Sequence, residues 1–366
     1  MQKYPKAKKE NIEEKIFGMT IKDPYRWMEN EKSEDLETWL AEQNQFTQTF
    51  LNEIPQRDEI KDRLRQLYDY PKYSTVTVVG KKIIYGYNEG LQNQPVYYMQ
   101  EGFDEKAHVL IDPNTLSADG TVSIFLNGHS KNNRYLAYLQ SQSGSDWHLL
   151  KVMDLEKKEV LADTIEWVKF TWAAWYKEGF FYSGYDKPQE GKELSVQNRG
   201  MKVFYHKLGE KQSQDQLLYS DQEHPLRFHG VRVSEDENDL ILVVSQGTYG
   251  SEIRVKKIDD QNAPFQTIFE GFDYEHDYIG SAGEDLYFVT DKEAPNKKIV
   301  KVNTRTFEIH DVIAPSDQPL ENGWKIGEHI VALYLHDVIS KLSLYDLQGQ
   351  LKNEVQMPII GSVIDV

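Results

Sequence analysis

A chain of 366 residues has room for one large domain or two, and for cores that need no covalent staple. It contains no cysteine, which excludes disulfides, thiolate metal sites and a cysteine nucleophile. Its 59 acidic against 42 basic residues give a formal net charge of −17, a balance that repels phosphate backbones and argues against nucleic acid as a partner.

The chain opens on a polar, lysine-rich stretch from Met1 to Glu10 with no apolar run behind it, so no secretory signal is visible. No later stretch approaches the roughly 20 apolar residues of a membrane helix. The expected setting is the cytoplasm, or the periplasm if a leader was removed, with no membrane partner. Asp23-Pro24-Tyr25-Arg26-Trp27-Met28-Glu29 begins as a turn and moves towards helix. Ser33 offers an N-cap, with Glu34, Asp35 and Glu37 in the first turn. Leu36, Trp39, Leu40, Gln43 and Phe46 follow at helical spacing, and the stripe continues to Phe50. Pro55 interrupts it, and a second helix carries Ile60, Leu64 and Leu67. Both stripes require an apolar partner surface.

Beyond Asp69-Tyr70-Pro71-Lys72-Tyr73 the pattern changes to period two. The expected division is a helical arm over 1–70 and a β domain over 71–366. From Thr75 a unit recurs: a short strand, a turn, an apolar strand, a third strand and a last one. The apolar strands are Ile83–Tyr87, Tyr135–Leu139, Gly179–Ser183, Leu240–Val244, Asp285–Val289 and His329–Tyr334. Their starts lie about 45 to 60 residues apart, the repeat of a four-stranded propeller blade. Six units are expected, with a seventh opening at Gly361–Val366. A β-sandwich would also alternate, but would not give six similar units in series.

Chemistry is sparse. The Gly-x-Ser-x-Gly turn of serine hydrolases does not occur; Ser145 in Gly144-Ser145-Asp146-Trp147 lacks the flanking glycine and a following helix. No P-loop, dinucleotide fingerprint or His-Glu-x-x-His is present. The ten histidines lack metal-ligand spacing. The carboxylate clusters Glu275/Asp277 and Glu235-Asp236-Glu237 sit in polar turn contexts, where solvation explains them. No catalytic residue, cofactor or metal is expected within the chain.

Several segments resemble the prolyl oligopeptidase family. Asp23–Glu29 resembles its DPYRWLE signature and Gly90-Leu91-Gln92-Asn93-Gln94 its GLQNQ. Asp112-Pro113-Asn114 with Ser117, Asp119, Gly120 and Thr121 resembles its DPN-LS-DGT stretch, and Gly144–Trp147 its GSDW. Val168-Lys169-Phe170, Ala174-Trp175, Gly179–Tyr182, His206-Lys207-Leu208-Gly209 and Leu335-His336-Asp337-Val338 continue in the same order. The resemblance implies a mainly β, seven-bladed-type β-propeller, with about six blades present, that caps an α/β-hydrolase domain absent from these residues. It implies that the helical arm packs on that domain. It also implies a serine peptidase that cuts short peptides after proline, the triad lying beyond the propeller. By the same resemblance Phe170 contacts residues upstream of the scissile proline, Asp146 faces the peptide's amino end, and Phe228 lines an apolar pocket. Two other readings remain open on the residues alone, a stand-alone peptide-binding scaffold and a propeller glycosidase. Without its hydrolase half the chain is expected to be poorly stable.

Overall fold

The computed structural model describes residues 4–366 apart from Glu31, Ser195, Gln261, Asn262 and Asp365. The chain divides into two compact units. One comprises Met1–Ser74, Gly86–Pro95 and Lys187–Gln197, and the other the remaining residues.

In the first unit Ser33 caps helix α1 (Glu34–Asn52), its Oγ accepting from the Leu36 N–H at 3.3 Å. Helix α2 (Arg57–Tyr68) follows the turn at Pro55. Asp23–Glu29 forms a turn and one 3-10 turn (Arg26–Glu29), tied by Arg26 to Asp23 at 2.5 Å and to Glu14 at 2.8 Å. The arm is not wholly helical. Glu13–Ile16 and Met19–Lys22 pair as an antiparallel hairpin. Its two-residue turn, Phe17-Gly18, has positive φ at both positions (47° and 79°), the geometry that suits a right-twisted ribbon.

Part of the α1 stripe finds its partner within the arm. Tyr4 stacks obliquely on Phe46 with centroids 4.7 Å apart, and Trp27 meets Trp39 edge to face at 6.4 Å. The rest stays open. Leu40 and Phe50 on α1, Ile60, Leu64 and Leu67 on α2, and Phe17 and Met19 on the hairpin are all exposed. Leu36 is the one buried residue among those described in the two helices.

The second unit is a propeller of six antiparallel sheets in series. The second blade runs Val122–His129, Tyr135–Gln142, His148–Asp154 and Glu159–Val168, each strand paired to the next. The third is Ala174–Tyr176, Gly179–Gly184, Lys202–Lys207 and Gln216–Ser220. The fourth is Phe228–Val233, Asp239–Ser245, Ser251–Lys257 and Gln266–Phe269. The apolar strands of the sequence pattern are the second strands of the blades. Buried between neighbours on both faces, they read as nearly continuous apolar runs; all six residues of Gly179–Gly184 are buried.

The cores lie between blades. Ile124, Leu136 and Met153 pack with Val79, Ile84 and Met99 of the first blade, and Leu150, Ile165 and Val168 pack with Trp175 and Phe180 of the third. Equivalent clusters join the third to the fourth, the fourth to the fifth and the fifth to the sixth. Each fully buried large side chain contributes about 1.5–3 kcal/mol. First strands of the second and third, the third and fourth, and the fifth and sixth blades touch each other, which gathers them along the propeller axis.

The seventh blade expected to open at Gly361–Val366 is not seen as a strand. Among the described residues there, none is in a strand. A strand is held by a ladder to a neighbour, and none of the described strands pairs with this segment. It instead accepts one hydrogen bond at the Gly361 carbonyl from the Ser340 N–H, at 3.3 Å. The Val363 N–H donates to Ser340 Oγ at 2.9 Å, and the Val363 side chain rests on Val331, Leu333 and Leu342.

One backbone position is expected to be intolerant. Gly250 has φ +76°, and a Cβ there would run into the carbonyl of Phe272. Gly250→Ala should destabilise by about 2 kcal/mol or more, read as a lowered thermal midpoint.

Candidate functional site

The segment between the second and third blades departs from regular strand. Trp167 and Phe170 both have positive φ, 59° and 49°, a conformation side chains larger than glycine adopt at some cost. Beyond it the chain alternates. Thr171 and Ala173 are buried while Phe170 and Trp172 are exposed. Asn127 of the second blade fixes this alternation. Its Nδ2 donates to the Thr171 carbonyl at 3.0 Å and its Oδ1 accepts from the Ala173 N–H at 2.8 Å. The Ser183 N–H donates to Thr171 Oγ1 at 2.8 Å. Gly128 leaves room for the same segment: a Cβ there would lie 2.9 Å from the Ala173 carbonyl and 3.3 Å from the Trp172 ring nitrogen.

Phe170 meets Phe228, the first residue of the fourth blade, edge to face at 5.7 Å and 89°. The two rings stand at a cavity of about 520 Å³ whose other walls include Trp172, His229, Gly230, Arg232 and Ser245. Two residues 58 positions apart in sequence are therefore side by side.

Asp146 is not among the walls. It is exposed on the Gly144–Trp147 turn. Its charge acts on Lys169, the residue before Phe170; burial pushes the Lys169 ammonium down and Asp146 opposes that. Lys169 is itself buried, its Nζ 3.9 Å over the Trp147 ring. Trp147 also meets Trp167 and Tyr185 edge to face, at 5.5 and 5.7 Å. Trp147 of the Gly-Ser-Asp-Trp turn thus joins an aromatic cluster against Lys169, the residue before Phe170.

Trp172 and Arg232 went unread in the sequence, as did Asn127 and Gly128. The available signal was period two: Trp172 stands two residues after Phe170, and Arg232 four after Phe228. Elsewhere, Lys297 pairs with Glu275, its Nζ 2.7 Å from that carboxylate and 4.0 Å from Asp277. No helix among the described residues is long and apolar enough to cross a membrane.

The model of the prolyl oligopeptidase N-terminal β-propeller domain matches residues 4–366. The chain belongs to that family. It is 37% identical over 364 residues to a prolyl endopeptidase of Elizabethkingia meningoseptica, covering 98% of this chain and 51% of that protein. It is 32% identical to prolyl oligopeptidase A of Amanita bisporigera, covering 94% and 50%. A solved prolyl endopeptidase structure superposes with a TM-score of 0.74 at 29% identity, over 98% of this chain and 52% of the other. Prolyl oligopeptidase B of Galerina marginata, solved bound to a 25mer macrocyclization substrate, shares the fold at a TM-score of 0.84 and 24% identity, over 98% and 55%. The chain spans about half the length of the curated relatives it matches.

Proposed function

We propose that this propeller admits and positions short proline-containing peptides for a serine peptidase whose nucleophile belongs to a partner α/β-hydrolase domain. In this reading the arm over 1–70 packs on that domain, and the exposed apolar residues of α1, α2 and the hairpin are its contact surface. Phe170 and Phe228 hold the side chain upstream of the scissile proline, and Asp146 attracts the peptide's ammonium end. Cleavage then follows acyl transfer to serine, with the propeller supplying position rather than chemistry.

The observation that carries the reading is the Phe170–Phe228 pair over an open cavity. Phe170 is 66% exposed and held in a left-handed backbone conformation. A core aromatic would be buried and relaxed; an exposed one held in a costly conformation fits a contact still to be made.

In the enzyme carrying both halves, Phe170→Ala should raise KM roughly tenfold for longer proline peptides, the worth of one lost aromatic contact. A minimal substrate with nothing upstream of the proline, only the leaving group on its carbonyl, should be cut as before. Identical kinetics for long and minimal substrates would refute the assignment.

A further inference from the structure

The cavity has a second tier below its aromatic pair. Phe228, Gly230 and Arg232 share one face of the strand Phe228–Val233, because side chains alternate along it. Phe170 and Trp172 share a face in the facing segment. The rings of Phe170 and Phe228 form the upper tier. In the lower one the Arg232 guanidinium lies 5.5 Å from the Trp172 ring. Gly230 separates the tiers, and a Cβ there would have nothing within 4 Å, so the space between them is open.

Arg232 differs from the other cations nearby. Lys131 Nζ donates to the Glu235 carbonyl at 2.8 Å and lies 3.7 Å from the Glu237 carboxylate. Lys325 is 2.5 Å from Glu235. Arg232 has the Val231 carbonyl at 3.2 Å and the Trp172 face, and no carboxylate within ion-pair distance among the described residues. The site is partly dehydrated, and burial pulls the guanidinium below its ordinary range. A planar guanidinium backed by a ring, with its remaining N–H groups unserved by protein carboxylates, suits a carboxylate better than a neutral group.

We propose that Arg232 makes this cavity a carboxylate-selecting subsite, which takes an acidic side chain or a free chain terminus of the peptide whose apolar part lies against Phe170 and Phe228. This rests on the reading of the cavity as a peptide site. His229, also in the wall, does not compete for the anion: its Nδ1 donates to the Met201 carbonyl at 3.1 Å, and burial keeps the ring neutral.

The test is calorimetric titration of the intact protein with three short proline-containing peptides. One carries Glu upstream of proline and an amidated end. The second has Gln in its place, also amidated. The third is the Gln peptide with a free terminus. The Glu peptide, the free-terminus peptide or both should bind roughly tenfold tighter than the amidated Gln peptide, and which of them does identifies the source of the carboxylate. Arg232→Gln should bring that ratio close to one, and Arg232→Lys should keep part of it. Should Arg232→Gln fail to fold, salt gives the same reading on the unaltered protein: the ratio should fall between about 0.05 and 0.5 M. If the amidated Gln peptide binds, and Phe170→Ala weakens it, while no carboxylate improves affinity, the inference is overturned and the aromatic site stands. A ratio that survives Arg232→Gln or ignores salt overturns it as well. If none of the three binds, the peptide-site reading fails and takes this one with it.

Discussion

His206→Ala should lower the stability of the propeller by about 3–5 kcal/mol, the usual result of leaving buried carboxylates without their cation. His206 is fully enclosed on the third strand of the third blade. Its Nδ1 lies 2.7 Å from Asp215, just ahead of the last strand of the same blade, and its Nε2 3.1 Å from Asp163 on the last strand of the second blade. With a carboxylate at each nitrogen, both must donate, so the ring is the imidazolium. Burial opposes that charge and is the largest single influence, but the two carboxylates together raise the ring from 6.5 to about 9. For Asp163 burial pushes upward, and the His206 hydrogen bond with the Gly209 N–H at 2.6 Å outweighs it, holding the carboxyl below its ordinary 3.8. The Gly209 N–H, and the Tyr182 hydroxyl that donates to Asp215 at 2.7 Å, survive the substitution and keep the loss towards the lower end.

The pH dependence follows from those directions. Because the folded His206 value is raised, its stabilisation is fully present below 6.5 and is lost as pH rises through about 9. Because the Asp163 value is depressed, its contribution is present above 3.8 and fades as pH falls through the folded value. The joint between the second and third blades is therefore firmest in mildly acidic solution. Urea denaturation of the parent should show a loss of about 2–3 kcal/mol between about pH 6 and about pH 9.5. His206→Ala should lack that slope. A parent whose stability is level across that interval, or a variant as stable as the parent, would show that the ring is neutral and the bridge idle.

Residues that act through their own strand were legible in the sequence; residues that act across blades were not. The strands Tyr135–Gln142 and Gly179–Gly184 announced themselves as apolar runs because both faces of a second strand are covered. Ser33 was legible as a cap because a cap is satisfied within its own first turn. The apolar stripe of Ile60, Leu64 and Leu67 followed from helical spacing, and its open face from the family resemblance. The hairpin around Phe17-Gly18 went unread because Phe is an unusual first residue for a turn with positive φ. The supposed strand at Gly361–Val366 shows the reverse error: its residues have strand propensity, but a strand exists only with a partner. Phe170 and Phe228 were named as candidates through family resemblance, whereas the contacts of Asn127, Gly128, Trp172 and Arg232 come from segments distant in sequence. His206 stands in a segment that resembles the family, yet its two carboxylates lie 43 positions before it and 9 after it, and neither spacing points to an ion bridge.

Phe180→Ala should destabilise by about 3–5 kcal/mol, the range for removing a buried aromatic ring. Ten residues separate it from Phe170, and the two side chains have opposite surroundings. Phe180 is 0% exposed, its ring centred 5.2 Å from Trp175 and 5.3 Å from His206, among Ala137, Leu150, Val152 and Ile165. Alanine there leaves a hole between two sheets whose positions are fixed by their other neighbours, so little collapse can offset it. The folded fraction should fall while peptide affinity per folded molecule is kept; Phe170→Ala should do the reverse. Denaturation and titration of both variants measure this, and equal stability losses would mean that exposure misreports the role of one of them. Phe180 and His206 also share a wall, so their substitutions should not add. Once the ring of Phe180 is gone, water can reach Asp163 and Asp215, and the further loss on removing His206 should fall below its value in the parent. A double variant that loses the full sum would place the two side chains in separate cooperative regions, which ring centroids 5.3 Å apart argue against.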